Sequence, residues 1–241
     1  MSLLLGAAPP AAHTVFGDRL PVLEAYAGLL AGPGVERGLL GPRETPRLWE
    51  RHLLNCAGLA ELVEPDQVLL DLGSGAGLPG LVLAALRPDL TVVLVEPLLR
   101  RATFLQEAVA ALELTQVVVR RARAEELAGS LLVDVVTARA VAPLDKLVGW
   151  GLPLLRPDGR LLALKGERAD EELAASGPAI TAAGGTAARV VEVGDAALST
   201  LGRVVLVERT AGKPAKAPRP AAPLAAASAR SARPPARRRR P

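Results

Sequence analysis

From Val68 onward the chain alternates short, nearly continuous apolar runs with longer stretches whose apolar residues recur three or four positions apart. The runs, near 68–72, 91–95, 116–120, 132–138, 159–165, 188–193 and 203–209, are rich in Val and Leu and read as buried strands. The spaced stretches, near 79–86, 98–112, 143–154 and 168–183, read as helices. Strand alternating with helix predicts an α/β fold with a mainly parallel, seven-stranded sheet, right-handed crossovers and helices on both faces. Before Val68 the pattern is helical only. Leu20, Leu23, Ala27 and Leu30 place a helix over Asp18–Leu30, and Gly32-Pro33-Gly34 reads as its stop. After Gly41-Pro42, Thr45 reads as an N-cap and Pro46 as the first turn of a helix running RLWERHLLNCAGLAELV. The division predicted is a helical extension over 1–63, a Rossmann-like domain over 64–210 and a tail over 211–241.

The first strand runs into VLLDLGSGAGLPG, Val68 to Gly80. Asp71 is followed by Gly73, Gly75 and Gly77 and then Pro79, the pattern of a strand that ends in a glycine loop and opens a helix. Glycines allow positive φ and close approach of backbone N–H groups to a ligand, and a helix start favours negative charge. In open parallel sheets ligands bind at the carboxyl ends of the strands, beside the point where strand order reverses. Chemistry is therefore expected just after strands. Glu96 follows the second strand, where a carboxylate can accept hydrogen bonds from both hydroxyls of a ribose. Arg123-Ala124-Glu125 follows the third, and Glu125 with a backbone N–H could face an adenine edge or simply open a short helix. Arg139 follows the fourth.

Composition narrows the classes. Half the 241 residues are apolar but only 2% are aromatic, so Leu, Val and Ala must fill the core. No apolar run reaches the roughly 20 residues that span a bilayer, and the first residues lack the basic start of a secretion signal, so a cytoplasmic protein is expected. Cys56 is the only cysteine and His13 and His52 the only histidines, which argues against a metal site. The net charge of +4 conceals an asymmetry. Nine of the 29 basic residues, Lys213 to Arg240, lie after Thr210 with no acid among them, which leaves 20 basic against 25 acidic residues in 1–210, a net charge of −5. The Pro- and Ala-rich tail has no apolar periodicity and reads as disordered. Its arginines could attract polyanions, or it could be a solvated extension without a partner.

Two cofactors fit a glycine loop with a downstream acid. Gly75-Ala76-Gly77-Leu78-Pro79-Gly80 matches a dinucleotide fingerprint literally, but leaves Gly73 over and places Asp71 where a pyrophosphate needs no added negative charge. S-adenosylmethionine is cationic at sulfur and ammonium, carries no phosphate, and uses that carboxylate. The stretch Asp71 to Gly77 resembles the acid-x-Gly-x-Gly-x-Gly loop of class I S-adenosylmethionine-dependent methyltransferases.

Trp49-Glu50-Arg51-His52-Leu53-Leu54-Asn55, the GSGAGLPG loop, Arg100-Arg101 with Phe104-Leu105, Arg123-Ala124-Glu125, Arg139-Ala140 and Leu164-Lys165-Gly166 together resemble the RsmG (GidB) family, over about Phe16 to Arg209. The resemblance implies transfer of a methyl group to N7 of a guanine in the decoding-region loop of 16S ribosomal RNA. It implies that Gly73, Leu78, Ala124, Glu125 and Arg139 line the cofactor site, with Glu96 at the ribose. Cys56 stands where many members have serine, and the basic tail is no part of the family core.

The absent motifs agree. Guanine N7 attacks through an exposed lone pair and loses no proton, so no general base is required. The chain has neither an Asp/Asn-Pro-Pro-aromatic motif after the fourth strand nor a Pro-Cys pair. Arg139 occupies that corner, to order the pocket, to touch guanine or phosphate, or to pair with Glu125. Arg51, His52, Arg100, Arg101 and Lys165 are the candidate RNA contacts, acting through phosphates. Phe16, Tyr26, Trp49, Phe104 and Trp150 fall largely on apolar stripes and offer no evident stacking platform. Two other classes fit less of this pattern: a nicotinamide-dependent oxidoreductase and a non-catalytic RNA-binding or assembly module.

Overall fold

A computed structural model describes residues 5–196, 198 and 201–210. The basic tail expected over 211–241 lies outside the described residues. Seven strands form one sheet in the order β3-β2-β1-β4-β5-β7-β6. They are β1 (Val68–Leu72), β2 (Thr91–Val95), β3 (Val117–Arg120), β4 (Val133–Arg139), β5 (Leu155–Lys165), β6 (Gly185–Val193) and β7 (Gly202–Arg209). Neighbours from β3 through β5 pair in parallel, and β7 runs antiparallel to both β5 and β6. The order reverses between β1 and β4, and the crevice at their carboxyl ends is the ligand position such sheets provide. Each strand of the predicted pattern is present. β5 begins earlier than the apolar run at 159, because Leu155 pairs with Val133 and the ladder then slips so that Arg160 pairs with Val135. The exposed Arg156, Pro157 and Asp158 occupy that irregularity, which an apolar pattern does not register.

Helices α4 (Gly80–Leu86), α5 (Leu99–Ala111), α7 (Leu144–Gly151) and α8 (Ala169–Ala182) link the strands, with a single turn α6 (Ala124–Leu127) after β3. β1 is buried from Leu69 through Leu72, as expected of a central parallel strand covered on both faces. One face packs against α6, α7 and α8 through Leu70, Val93, Val136, Leu147, Val148 and Leu161. The other shares a core with α4, α5 and all the N-terminal helices, from Ala12 and Leu23 through Leu53 and Leu81 to Val204 and Leu206.

The N-terminal segment departs from its expected outline. A helix not read from the pattern, α1, covers Pro10–Phe16, and α2 covers Leu20–Leu29. Gly32-Pro33-Gly34 does not end α2. The chain widens there into i→i+5 turns over Leu30–Gly34 and continues helically, so the missing N–H of Pro33 is absorbed by the widened turn. The stop is Gly38, at φ +65°, with Gly38 N–H on Val35 O at 2.9 Å and Leu39 N–H on Gly34 O at 2.8 Å, a Schellman ending. Thr45 is not an N-cap. It is buried within a 3₁₀ segment, Pro42–Arg47, which leads into a wide-turned stretch, Leu48–Leu54, then α3 (Asn55–Ala57) and a 3₁₀ end, Gly58–Leu62. Among the described residues no helix is long and apolar enough to cross a membrane.

Candidate active site

The glycine loop turns at the carboxyl end of β1. Gly73, Gly75 and Gly77 all hold positive φ (+68°, +58° and +101°), which is why this corner needs glycine at alternate positions. Three neighbours hold the loop. Ser74 N–H donates to Val95 O at 3.0 Å and its hydroxyl to Asp71 O at 2.9 Å. Tyr26, fully buried on α2, donates its hydroxyl to Ala76 O at 2.8 Å. Glu96, 2% exposed at the end of β2, accepts from Gly75 N–H through Oε2 and from Leu98 N–H through Oε1, both at 3.0 Å. A carboxylate has about four lone-pair sites, so each oxygen retains one for a ligand hydroxyl.

Asp71 is wholly buried, and its Oδ2 accepts from Gly80 N–H at 3.1 Å. Its Oδ1 has no hydrogen-bond partner among the described residues. Burial pushes the Asp71 carboxyl up to about 7, against the pull of the Gly80 and Ser74 hydrogen bonds. Beside the loop lies a pocket of about 160 Å³ lined by Leu72, Gly73, Val95, Pro97, Ala122 to Glu125, Val141 and Trp150. Ala124 lies in its wall and Glu125, exposed on the α6 turn, is also among its lining residues. The Val141 side chain covers Gly73, 2.9 Å from where a Cβ there would stand.

Val141 also faces a second, open cleft of about 1300 Å³, bordered by Glu50, Arg51, Asn55, Arg139, the 140–145 loop, Lys165 to Arg168 and the β6–β7 hairpin. Arg139 projects into it from β4. Nη2 donates to His52 Nδ1 at 2.7 Å and to Arg51 O at 3.3 Å, and Nη1 to Cys56 Sγ at 3.2 Å and His52 O at 3.5 Å. The alternative pairing with Glu125 is not formed. Burial pushes the Cys56 thiol up to about 11, so it meets Arg139 as a neutral group. Lys165 and His52, both expected at an RNA surface, have 9% side-chain exposure. Lys165 Nζ holds Glu172 at 2.8 Å and Ala142 O at 3.1 Å, and His52 lies between Arg139 and Glu44. Arg51 and Arg100 are open to solvent, and Arg101, 40% exposed, reaches to 3.8 Å from Glu96. Leu78 is part-buried in the loop before the cis Leu78–Pro79 peptide.

Sequence reasoning missed Glu44, Val141 and Trp150. Val141 carried a weak signal as a large apolar residue just after a strand end, and Trp150, on α7, as one of five aromatic residues in the sequence. Glu44 carried none, because its reach to His52 depends on irregular helical turns.

A glycine corner after β1, an acid after β2, and a sheet with one antiparallel strand define the class I S-adenosylmethionine-dependent methyltransferase architecture. A structure of a SAM dependent methyltransferase from Aquifex aeolicus shares this fold, with a TM-score of 0.51 at 21% identity over 69% of this chain and 94% of that one. Residues 19–200 match the GidB family, described as rRNA small subunit methyltransferase G. A protein of that name from Thermobifida fusca is 64% identical over 163 residues, covering 68% of this chain and 69% of its own. Another from Streptomyces avermitilis is 54% identical over 221 residues, 88% of this chain and 93% of its own. The chain belongs to the GidB family.

Proposed function

We propose that this protein transfers a methyl group from S-adenosylmethionine to N7 of a guanine in small-subunit ribosomal RNA, in the decoding-region loop, within the cytoplasm. The observation that carries the reading is the Glu96–Gly75 clasp beside the positive-φ glycines, with the orphaned Asp71 Oδ1 behind it. These fit a ribosyl sulfonium: Glu96 accepts from the ribose hydroxyls, and Asp71 gives buried negative potential toward cationic groups. Ala124 and Glu125 border the slot for the adenine. No phosphate is called for, and a pyrophosphate at the glycine loop would meet Asp71 and Glu96, which weighs against a nicotinamide cofactor.

When bound, S-adenosylmethionine supplies an electrophilic methyl group, which the N7 lone pair takes from sulfur. No proton moves, so the residues have to align N7, carbon and sulfur rather than act as a base. Arg139 is suited to hold the nucleotide through O6 or a phosphate, because a cation directly against N7 would oppose the charge that methylation places on the ring. The large cleft is lined by five cationic and five acidic side chains, and Lys165, Arg168 and Arg203 are paired with Glu172, Glu171 and Asp170. Arg51, Arg100 and Arg101, each accessible to solvent and with no ion pair shorter than 3.8 Å among the described residues, are the phosphate contacts favoured.

The test is transfer of labelled methyl to small subunits lacking the modification, with the product base mapped. Label on one guanine N7 is expected, together with loss of most turnover in Arg139→Ala. Stabilisation by NAD without stabilisation by S-adenosylhomocysteine would overturn the reading in favour of a dehydrogenase. Binding of small subunits without any cofactor binding would instead favour an assembly module.

A further inference from the structure

Glu44, His52 and Arg139 form a chain that leads from the N-terminal segment into the cleft. Glu44 Oε2 lies 2.8 Å from His52 Nε2, and Arg139 Nη2 lies 2.7 Å from His52 Nδ1. A guanidinium has donors only, so Nδ1 must present its lone pair, and the ring proton must sit on Nε2, where the Glu44 carboxylate accepts it. We propose that Glu44 and His52 are positioning residues for Arg139: the carboxylate fixes the imidazole as the Nε2–H tautomer, and the Nδ1 lone pair seats the guanidinium at the mouth of the cleft.

The inference rests on the methyl-transfer reading for its consequence in turnover, but not for the seat itself. Among the described residues Arg139 has no carboxylate as a hydrogen-bond partner. Its remaining contacts are the carbonyls of Arg51 and His52 and a neutral thiol, all longer than the bond to Nδ1. The charged groups that face His52 are Glu44 from the Pro42–Arg47 segment, Arg51 from its own turn and Arg139 from β4. Burial and the Arg139 charge hold the His52 pKa below 6.5, although Glu44 pulls the other way. Protonation would put an N–H at Nδ1 against an arginine N–H, and the guanidinium would have to leave. The seat is therefore present above the His52 pKa and lost as pH falls through it, which gives kcat at saturating S-adenosylmethionine an acid limb, separate from any pH dependence of donor affinity.

The full chain with His52→Asn, His52→Leu and Glu44→Gln tests this. Asn places an acceptor near the Nδ1 position and does not titrate, whereas Leu removes the acceptor. His52→Leu is expected to lower kcat on small subunits on the order of tenfold to a hundredfold, with little change in the KM for S-adenosylmethionine. His52→Asn should return to within about threefold of the parent and lose the acid limb. Glu44→Gln, which can present its amide to Nε2 and invert the tautomer, should resemble His52→Leu. His52→Asn as impaired as His52→Leu, or still showing the parent's acid limb, overturns the proposal. Nitrogen-15 spectra of the His52 ring in the unaltered protein at pH 8 give a readout that needs no activity and covers the case of a variant that does not fold. A proton on Nε2 is expected, and one on Nδ1 overturns the seat. The expected tautomer in a protein that transfers no methyl would overturn the functional reading and leave the seat standing.

Discussion

An added Cβ at Gly80 would fall 2.7 Å from Asp71 Oδ2 and closer still to the Leu94 side chain, both inside the packed face of β1 and β2. Neither neighbour can withdraw without moving a strand, so Gly80→Ala should destabilise the fold by about 1–3 kcal/mol, read as a lower Tm. The same crowding accounts for Asp71. With no cation in contact, burial holds its carboxyl up at about 7, against an ordinary value near 3.8 that the unfolded chain regains. Between those values the native state binds the extra proton, so this residue's contribution to stability is full below about pH 4 and is lost as pH rises through 7. Asp71→Asn, which keeps an acceptor for Gly80 N–H, should flatten the stability profile between pH 4 and 7, by on the order of a few kcal/mol over that range in urea titrations. Donor binding is expected to favour the ionised form, so affinity for S-adenosylmethionine should rise from pH 6 to 8 in calorimetry and lose that rise in Asp71→Asn. Residue type and position near the end of a strand were legible in the sequence. It could not give burial of both oxygens, which depends on where Gly80 and Leu94 come to rest.

The loop between β4 and α7 is tied down as an element. Ala140 sits at φ +53° at its start, and Lys165 at the end of β5 holds Ala142 O and, through Glu172 of α8, the N–H of Leu144. Val141, which separates the small slot from the large cleft, is carried on this tethered loop. Lys165→Met should therefore lower Tm by a few degrees and raise the KM for S-adenosylmethionine, while the salt dependence of binding to small subunits stays unchanged. A fall of about one in that salt slope would return Lys165 to the role of phosphate contact. Apart from the start of β5, strand and main-helix spans from Val68 onward were legible because strands buried on both faces read as continuous apolar runs and the helices bury one face at period 3.6. The Gly32-Pro33-Gly34 stop misled because local punctuation was outweighed by packing: Leu30 and Gly34 are both buried, and the helix runs on to the glycine at 38.

At the scale of the molecule, the N-terminal helices do not stand apart from the sheet. Tyr26 bonds Ala76 O, Arg19 bonds Ala85 O at 2.7 Å, Arg87 bonds the carbonyls of Ala60 and Val63, and Gly194 N–H bonds Glu61. With a shared core beneath these bonds, residues 1–63 and 64–210 are proposed to unfold as one cooperative unit. Far-ultraviolet and tryptophan signals should give coincident urea transitions, and a chain lacking 1–63 should fail to give one at all. Two separated transitions would show independent domains. What the sequence settled alone is the succession of strands and main helices from Val68 onward, the position of the glycine loop, the acid near the end of β1 and the acid just after β2, because periodicity and glycine are properties of neighbouring residues. The assembly of Glu44, His52, Cys56 and Arg139, the burial of Asp71 and the seat of Val141 over Gly73 were decided only by tertiary structure. They join residues as much as 87 positions apart, and which side chains meet across that distance is set by how helices pack on a sheet rather than by any local pattern.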